Sequence, residues 1–325
     1  MAAPVQSYLQ WDPLVLEPVF RGIYQNEMDK KLKRDFVPVL FGVESSQKAL
    51  EMFEGVGGEG LMIPWKDSNN QVAYGEINEL WKATYIHEKF SLGRQIERDF
   101  IDDLKLTQLK DILVNMADAE YKTIQYQAAQ NFNNAFTATG TNYLGKTYNS
   151  VGPDQKALCA VDHPFSPENS TDVQSNMTTK ELTIDTWDEV SVEMQGWVDD
   201  RGVLQAAMPD TLLVHPYNKR VAFQIAGIDG KGLGYEPGSS DFNINVYEGD
   251  VTVIVNPFLR SQTAWFAIDD ARKRQLHKWF WRRRPEGGTI EEFETEVAKF
   301  KRVGRWSFGW NSPWWVFGST GVDPA

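Results

Sequence analysis

Leu104-Lys-Leu-Thr-Gln-Leu-Lys-Asp-Ile-Leu-Val-Asn-Met-Ala-Asp-Ala-Glu-Tyr-Lys-Thr-Ile-Gln-Tyr-Gln-Ala-Ala-Gln-Asn-Phe-Asn-Asn-Ala-Phe136 keeps one period throughout, without an internal Gly or Pro. Its apolar positions Leu109, Ile112, Leu113, Met116, Ala117, Ile124, Ala128, Phe132, Ala135 and Phe136 recur at steps of three, four or seven, which lines one face of an α-helix. At 1.5 Å per residue a helix over 104–136 is on the order of 45 Å long. Such a helix is a strut along which the rest of the chain must be arranged. The Gly- and polar-rich stretch from Thr137 to Pro153 ends it.

Upstream of the strut there is little material for a core. Residues 1–40 scatter single apolar residues among Pro4, Pro13, Pro18 and Pro38 and a basic cluster of Lys30, Lys31, Lys33 and Arg34. With no sustained period they read as an extended arm. Residues 44–54 read as a helix ending at the glycines of Glu54-Gly-Val-Gly-Gly-Glu-Gly60. Leu61 to Trp65, a polar tip from Lys66 to Gln71, and Val72 to Ile77 read as a hairpin. A third extended segment, from Trp81 to Leu92, alternates Trp81, Ala83, Tyr85 and His87. Three strands with so little to cover them suggest a projecting arm of sheet.

Downstream, residues 180–268 read as mixed α/β. A helix is expected from Trp187 to Val198, capped by Asp185 or Thr186, and another from Asn218 to Ala226. Strands are expected at 211–216, 251–255 and 264–268, with a five-glycine loop at 227–238. A charged stretch and an aromatic strand or hairpin over 303–318 close the chain. No internal repeat or low-complexity tract is present.

The chain has 325 residues, enough for roughly two domains at about 150 each. Apolar residues make up 42% and charged residues 24%, which supports a packed core and argues against disorder. Lys plus Arg total 33 against 45 Asp plus Glu, a formal charge of −12. This acidity argues against a sequence-reading DNA binder, which usually carries a basic face. The one cysteine, Cys159, excludes an internal disulfide framework and a multi-cysteine zinc module and fits a reducing compartment. The N-terminus has no basic residue before Arg21 and no apolar core, so no signal peptide is read. No apolar run approaches the roughly 20 residues of a membrane span. Tryptophan is abundant, and Trp265, Trp279, Trp281, Trp306, Trp310, Trp314 and Trp315 all fall near the C-terminus.

Several short motifs have a chemical reading. Gly140-Thr-Asn-Tyr-Leu-Gly-Lys-Thr147 fits the phosphate-binding pattern G-x-x-x-x-G-K-[ST], whose chemistry needs a buried strand before the loop and a helix after it. Here a long helix precedes it and Gly152-Pro153 stops any useful helix after it. Ala264-Trp-Phe-Ala-Ile-Asp269 resembles the Mg²⁺-holding strand of such enzymes and falls with it. Gly55-Val-Gly-Gly-Glu-Gly60, with Glu76 or Glu79 about 20 residues on, fits a dinucleotide fingerprint in inverted order and reads better as a hinge. Cys159, Asp162 and His163 lie within five residues, but Pro164 argues against the helix that would stack 159 on 163. They read as a buried thiol and a locally bonded imidazole, not a nucleophile and base. A zinc site from Cys159, Asp162, His163 and His215 has suitable residue types without ligand spacing. Asn169 and Asn176 fit glycosylation acceptors, which have no use without export. Arg272, Lys273, Arg274, Lys278, Arg282, Arg283 and Arg284 interleave with Trp279, Phe280 and Trp281. This stretch suits nucleic-acid stacking and neutralisation, and equally a solvated strand edge or an interface with acidic residues of a neighbouring subunit.

The order of arm, projecting hairpin, long helix, small α/β region and returning aromatic strand resembles the major capsid protein of tailed bacteriophages, the Hong Kong 97 fold. Tyr85-Ile-His-Glu-Lys-Phe-Ser-Leu-Gly-Arg-Gln-Ile-Glu-Arg-Asp-Phe-Ile-Asp-Asp103 resembles the family's lead from extended loop into spine helix. Ala157-Leu-Cys-Ala-Val-Asp-His-Pro164, followed by Ser175-Asn176 and Leu182-Thr183, is similar to its small-residue, His-Pro segment, with Cys159 where an aromatic is commoner. Asp200-Arg-Gly202, Pro209-Asp-Thr-Leu-Leu-Val-His-Pro216 and Ala222 resemble the axial strand and helix, and Ala264 to Asp269 the strand returning to the peripheral domain. The likeness runs from the arm to Gly318, and the Trp306–Trp315 end departs from the family's usual pattern.

The resemblance implies an α+β chain with an N-terminal arm (1–45), an extended loop (46–98), a peripheral domain (99–180 and 265–325, spine helix 104–136) and an axial domain (181–264). It implies a major capsid protein, not an enzyme, with no cofactor and no metal. That protein self-assembles through pentamers and hexamers into an icosahedral shell around double-stranded DNA in the virion. Assembly is expected in the host cytoplasm, with portal, scaffold or decoration proteins as further partners and no membrane. An encapsulin-like compartment of the same fold is the alternative. An enzyme, nucleotide-dependent through Lys146 or thiol-dependent through Cys159, is less favoured. Trp11, Leu14, Met62, Ile63, Trp65 and Lys66 are the candidate subunit-interface residues, since arm and hairpin lack a core of their own. Some family shells cross-link through a loop Lys, and Lys66 stands in a comparable place with no partner assigned. A shell need not attract the DNA that it encloses, so the charge of −12 leaves DNA as contents open and predicts weak DNA affinity for free subunits. The C-terminal tryptophans are expected to stiffen the peripheral domain.

Overall fold

The computed structural model describes residues 13–65, 71–72, 74, 76–97, 99, 106–227, 247, 249–292 and 297–321. The arm expected to be extended is helical over its described part: α1 covers Pro13–Leu32 and a short α2 covers Val37–Leu40. Pro13 sits at the first helical position, where its missing N–H costs nothing. The face that α1 buries is supplied from far along the chain. Tyr24 and Met28 pack with Leu109, Leu113, Met116 and Ala117, and Lys31 Nζ reaches Asp118 Oδ1 at 2.8 Å. A weakly periodic segment can therefore be helical because a strongly periodic one receives it. Gln125 fixes the next step. Its Nε2 donates to Asp35 Oδ1 at 2.8 Å and its Oε1 accepts from the Phe36 N–H at 2.9 Å, which seats Val37, Leu40 and Phe41 in the core.

The helix expected at 44–54 is two strands, β1 (Gly42–Ser45) and β2 (Leu50–Val56). The hairpin expected at 61–65 and 72–77 is not formed by those residues, which lie outside regular strands where described. The paired strands are β2 and β3 (Glu79–Ile86), and the third extended segment breaks at His87 into β3 and β4 (Glu88–Glu97).

The long helix runs from Leu106 to Ala128 (α3), about 35 Å at 1.5 Å per residue, and a turn at Ala129 leads to α4 (Gln130–Asn133). Residues 104 and 105 lie outside the described residues. The expected extension to 136 stops at Asn134, whose side chain offers the backbone a competing set of bonds. Its amide donates to Gln130 O, Thr141 O and Tyr148 OH, and its Oδ1 accepts from the Thr141 N–H.

Beyond it come the hairpin β5 (Thr139–Thr141) and β6 (Thr147–Asn149), then β7 (His163–Pro164), β8 (Val173–Gln174) and β9 (Met177–Thr178). Helix α5 (Ile184–Gln195) starts earlier than expected, because Thr183 and Thr186 form a reciprocal capping box. Strand β10 (Thr211–Val214), helix α6 (Lys219–Ala226), β11 (Thr252–Val255) and β12 (Trp265–Ile268) fall where the sequence puts them. The charged stretch becomes α7 (Asp270–Leu276) and the start of β13 (His277–Glu292), which pairs with β14 (Val297–Trp310) before β15 (Val316–Ser319).

Two sheets organise these elements. One has the order β1-β13-β14-β4 and lies on α1 and α3. The other has the order β11-β10-β12-β15-β9 and separates two cores. Leu213, Ile254, Phe266, Ile268 and Val316 face the core shared with α3 and the aromatic strands. Leu212, Val214, Trp265, Ala267 and Phe317 face the core shared with α5 and α6. Residues before and after position 264 contribute strands to this sheet, so the two cores have a common wall. Trp279, Trp281, Trp306, Trp310 and Trp315 belong to the first core and Trp265 to the second, with Trp314 packed against the second. Trp279 stacks on Phe308 (5.2 Å between centroids) and Trp306 on Phe90 (4.2 Å).

Candidate assembly surfaces

The β2–β3 hairpin is built inside out. In β2 the inward positions are Glu51, Phe53 and Gly55, while Leu50, Met52 and Val56 face outward and are exposed. Ile86, opposite Leu50 in β3, is 71% exposed. The alternation of a strand is present, but its apolar face has no cover within the chain.

The polar inner face is satisfied at the hinge. Ser46 Oγ donates to Glu51 Oε1 at 2.7 Å and lies 3.0 Å from His87 Nε2, while His87 Nδ1 lies 2.9 Å from Ser307 Oγ on β14. Burial and the nearby Arg305 guanidinium lower the His87 value. The bond from Ser46, with Lys48 beside it, holds the Glu51 carboxyl below its ordinary range. In a Ser-His-acid triad the carboxylate would sit on the imidazole. Here it sits on a serine, and the network ties the hairpin to the sheet.

The exposed surface continues between the two strands. Leu61, Met62, Ile63, Trp65, Val72, Tyr74 and Ile77 are all more than half exposed, and Met62 is fully so at 101%. Of the expected interface residues, Met62, Ile63 and Trp65 thus lie together on this surface. Leu14 is in α1, and Trp11 and Lys66 lie outside the described residues. The outward stripe of Leu50, Met52, Val56 and Ile86 was missed from sequence, although Leu50, Met52 and Val56 fall on even spacings that mark one face of a strand.

The ends of this segment are pinned to the turn at 199–202. The Gly58 N–H donates to Asp200 Oδ1 at 2.7 Å, Asn78 Nδ2 donates to Asp200 Oδ2 at 2.8 Å, and the Arg201 guanidinium bonds Glu76 O. A Cβ on Gly57 would come within 2.5 Å of Asp200 Oδ2, and one on Gly58 within 2.1 Å of Asp199 Oδ2. The run at 55–60 therefore serves close backbone approach to the turn at 199–202. An open cleft of about 550 Å³ lies beside it, lined in part by Phe53, Leu80, Trp81 and Trp314.

The other motifs resolve structurally. The phosphate-loop pattern is the hairpin β5–β6, with Gly140 opposite Tyr148 and the Gly145 turn at φ 74. Asp269 caps α7 by accepting from the Arg272 N–H. Cys159 is buried and its thiol is pushed up by that burial. His163 turns away to pair Nδ1 with Asp154 Oδ2 at 2.5 Å. His215 caps a short turn, accepting from the Tyr217 N–H. Among the described residues no group of three or more His, Cys, Asp or Glu could hold a metal ion, and no helix is long and apolar enough to cross a membrane. Most of the basic stretch is paired within the chain: Arg272 to Asp269, Lys273 and Arg274 to Asp270, Lys278 to Glu44 and Arg283 to Glu286.

A family profile described as phage capsid protein matches residues 82–325, from β3 to the C-terminus. The chain belongs to the phage capsid protein family. No curated protein sequence matches it. Among solved structures it is similar to one from Mycobacterium phage Patience, at 9% identity and TM-score 0.53 over 95% of this chain and 89% of that one. It is also similar to the mature capsid of bacteriophage PhiM1, at 8% identity and TM-score 0.52 over 88% and 86%. A third is the capsid of cyanophage P-SCSP1u, at 10% identity and TM-score 0.51 over 88% and 87%. What these share with this capsid protein is the fold, the Hong Kong 97-type architecture. The chain is a phage capsid protein, and its place is the capsid shell of the virion, which copies of it build.

Proposed function

We propose that this capsid protein closes an icosahedral shell of pentamers and hexamers around double-stranded DNA, each subunit laying its loop 46–98 over a neighbour. The observation that carries the reading is the apolar surface of that loop. Leu50, Met52, Val56, Leu61, Met62, Ile63 and Trp65 are exposed in one copy, and exposed apolar side chains gathered in one segment mark an interaction surface. In this reading residues 1–45 are the arm, 99–180 with 265–325 the peripheral domain, and 181–264 the axial domain meeting its copies at the centres of pentamers and hexamers. Heterologous contacts of this kind close rings. Trp11, Leu14 and Lys66 join the contact. Assembly takes place in the host cytoplasm, with portal, scaffold or decoration proteins as partners. The wall carries net negative charge and encloses DNA without binding it by sequence.

Electron microscopy of the purified protein tests this. Closed particles are expected from the wild type, and unassembled but folded subunits from Met62→Ser/Ile63→Ser/Trp65→Ser. A wild type that stays a small monomer under every assembly condition overturns the reading. Free subunits are expected to leave DNA unshifted in a gel at physiological salt.

A further inference from the structure

The strands β4, β14 and β13 carry an arrangement that folding alone does not favour. Ala298 and Phe300 of β14 point to α1 and α3, so the odd-numbered residues Lys301, Val303 and Arg305 lie on the opposite face of the sheet. On that face the register sets Arg283 opposite Arg305, and Arg305 opposite Lys89. Directly opposed side chains have Cβ atoms about 5 Å apart, and like charges there are destabilising. Three cations thus stand abreast across three strands. Among the described residues only Arg283 has a carboxylate partner, Glu286 at 3.2 Å. Arg305 donates to a backbone oxygen, that of His87, and Lys89 is exposed.

Two rows further along the same face, Lys301 stands between Gly93 and Gly288. Glycines in strands leave a floor that another backbone can approach closely. In sequence, the last two residues of β13 and the four that follow before β14 are Glu291-Glu-Phe-Glu-Thr-Glu296, four carboxylates around one phenylalanine. The same pair of strands is therefore cationic along its length and anionic where its strands join.

We propose that the acidic segment 291–296 of one copy seats on the Lys89–Arg305–Arg283 row of a second copy. This contact rests on the shell-forming reading and deepens it by naming two unlike patches that meet head to tail, the geometry from which rings close. Charge complementarity selects the occupant.

Three chains test the contact. One reverses the row (Lys89→Glu, Arg283→Glu, Arg305→Glu), one reverses the segment (Glu291→Lys, Glu292→Lys, Glu294→Lys), and one carries both sets. Each single reversal is expected to lower the fraction of protein in particles at least about ten-fold, and the double reversal to restore it, since the swapped charges again attract. Circular dichroism identifies any chain that fails to fold. If the reversed row does not fold, Lys89→Gln/Arg283→Gln replaces it, with an expected loss of salt dependence in wild-type-like assembly. Folded single reversals that assemble like the wild type overturn the contact and leave the shell reading standing. So does a double reversal that folds and stays unassembled. Row-reversed particles that form normally but retain less DNA also overturn it, assigning the row to the genome. A wild type that forms no particles sinks the shell reading and this contact with it.

Discussion

The backbone N–H of Gly58 donates to Oδ1 of Asp200 at 2.7 Å, tying the start of the apolar loop to a turn 142 residues away. Asp200 also holds the far end of that loop through Asn78. Asp200→Ala is expected to cost about 1–2 kcal/mol locally and little global stability. Hydrogen exchange checks this: amides at 56–58 and 78 should exchange about ten-fold faster, with those of β10 unchanged.

The aromatic core sets the stability of the first sheet. Trp306 stacks on Phe90, lies 5.3 Å from Trp281, and donates its indole N–H to Gln127 Oε1 at 2.6 Å. Trp306→Ala is expected to cost about 3–5 kcal/mol through lost burial and the cavity left behind, read as a lower midpoint in denaturant. Gln127→Leu removes this acceptor together with the Gln127 side-chain bond to Tyr143, and should cost about 1–3 kcal/mol.

His277 predicts a pH dependence. It is stacked between Phe41 (3.8 Å) and Trp315 (4.4 Å), with Nδ1 donating to Leu40 O and Nε2 accepting from Asn131. Burial pushes its value down to about 3, so it is neutral in the folded chain. The unfolded chain takes up a proton there at about pH 6.5. Between about pH 6.5 and 3 the unfolded state therefore binds more protons, and stability falls as pH is lowered through that window. His277→Gln should lower stability at pH 7 and flatten this slope. Melting temperatures from pH 4 to 7 decide it, and an unchanged slope would falsify the assignment.

Cys159 and Lys146 should be chemically idle. The Cys159 thiol is buried and pushed up by desolvation, and a Cβ on Gly318 would meet its sulfur at 2.6 Å. A thiol reagent is expected to label it in denaturant and leave the native protein unlabelled. Cys159→Ala and Lys146→Ala should assemble as the wild type does, and a loss of particles in either would contradict the structural reading of both motifs.

Much of this fold was legible in the sequence. The period of Leu109 to Phe132 gave the strut because every turn of it is buried by something, and β10 and β12 are short apolar runs buried on both faces, with β11 at the edge beside them. The segments misread are those whose partners are remote. Pro13–Leu32 looks extended by itself and is helical against Leu113 and Met116. Leu50–Val56 looked helical because its polar inward face, led by Glu51, conceals a strand whose apolar side faces out. Of the candidate surface, Met62, Ile63 and Trp65 could be named from the chain. The stripe through Met52 and Ile86 and the row of Arg283, Arg305 and Lys89 could not, since both depend on pairing register.

The sequence by itself determined the order of elements, and with it the capsid family, because local periodicity and turn residues act within a few positions of the chain. Only the tertiary structure decided what each face meets: which strand lies beside which, where a histidine becomes neutral, and which apolar side chains are left for another copy. Those depend on contacts between residues far apart in sequence, where burial and pairing outweigh the modest local preferences of each segment.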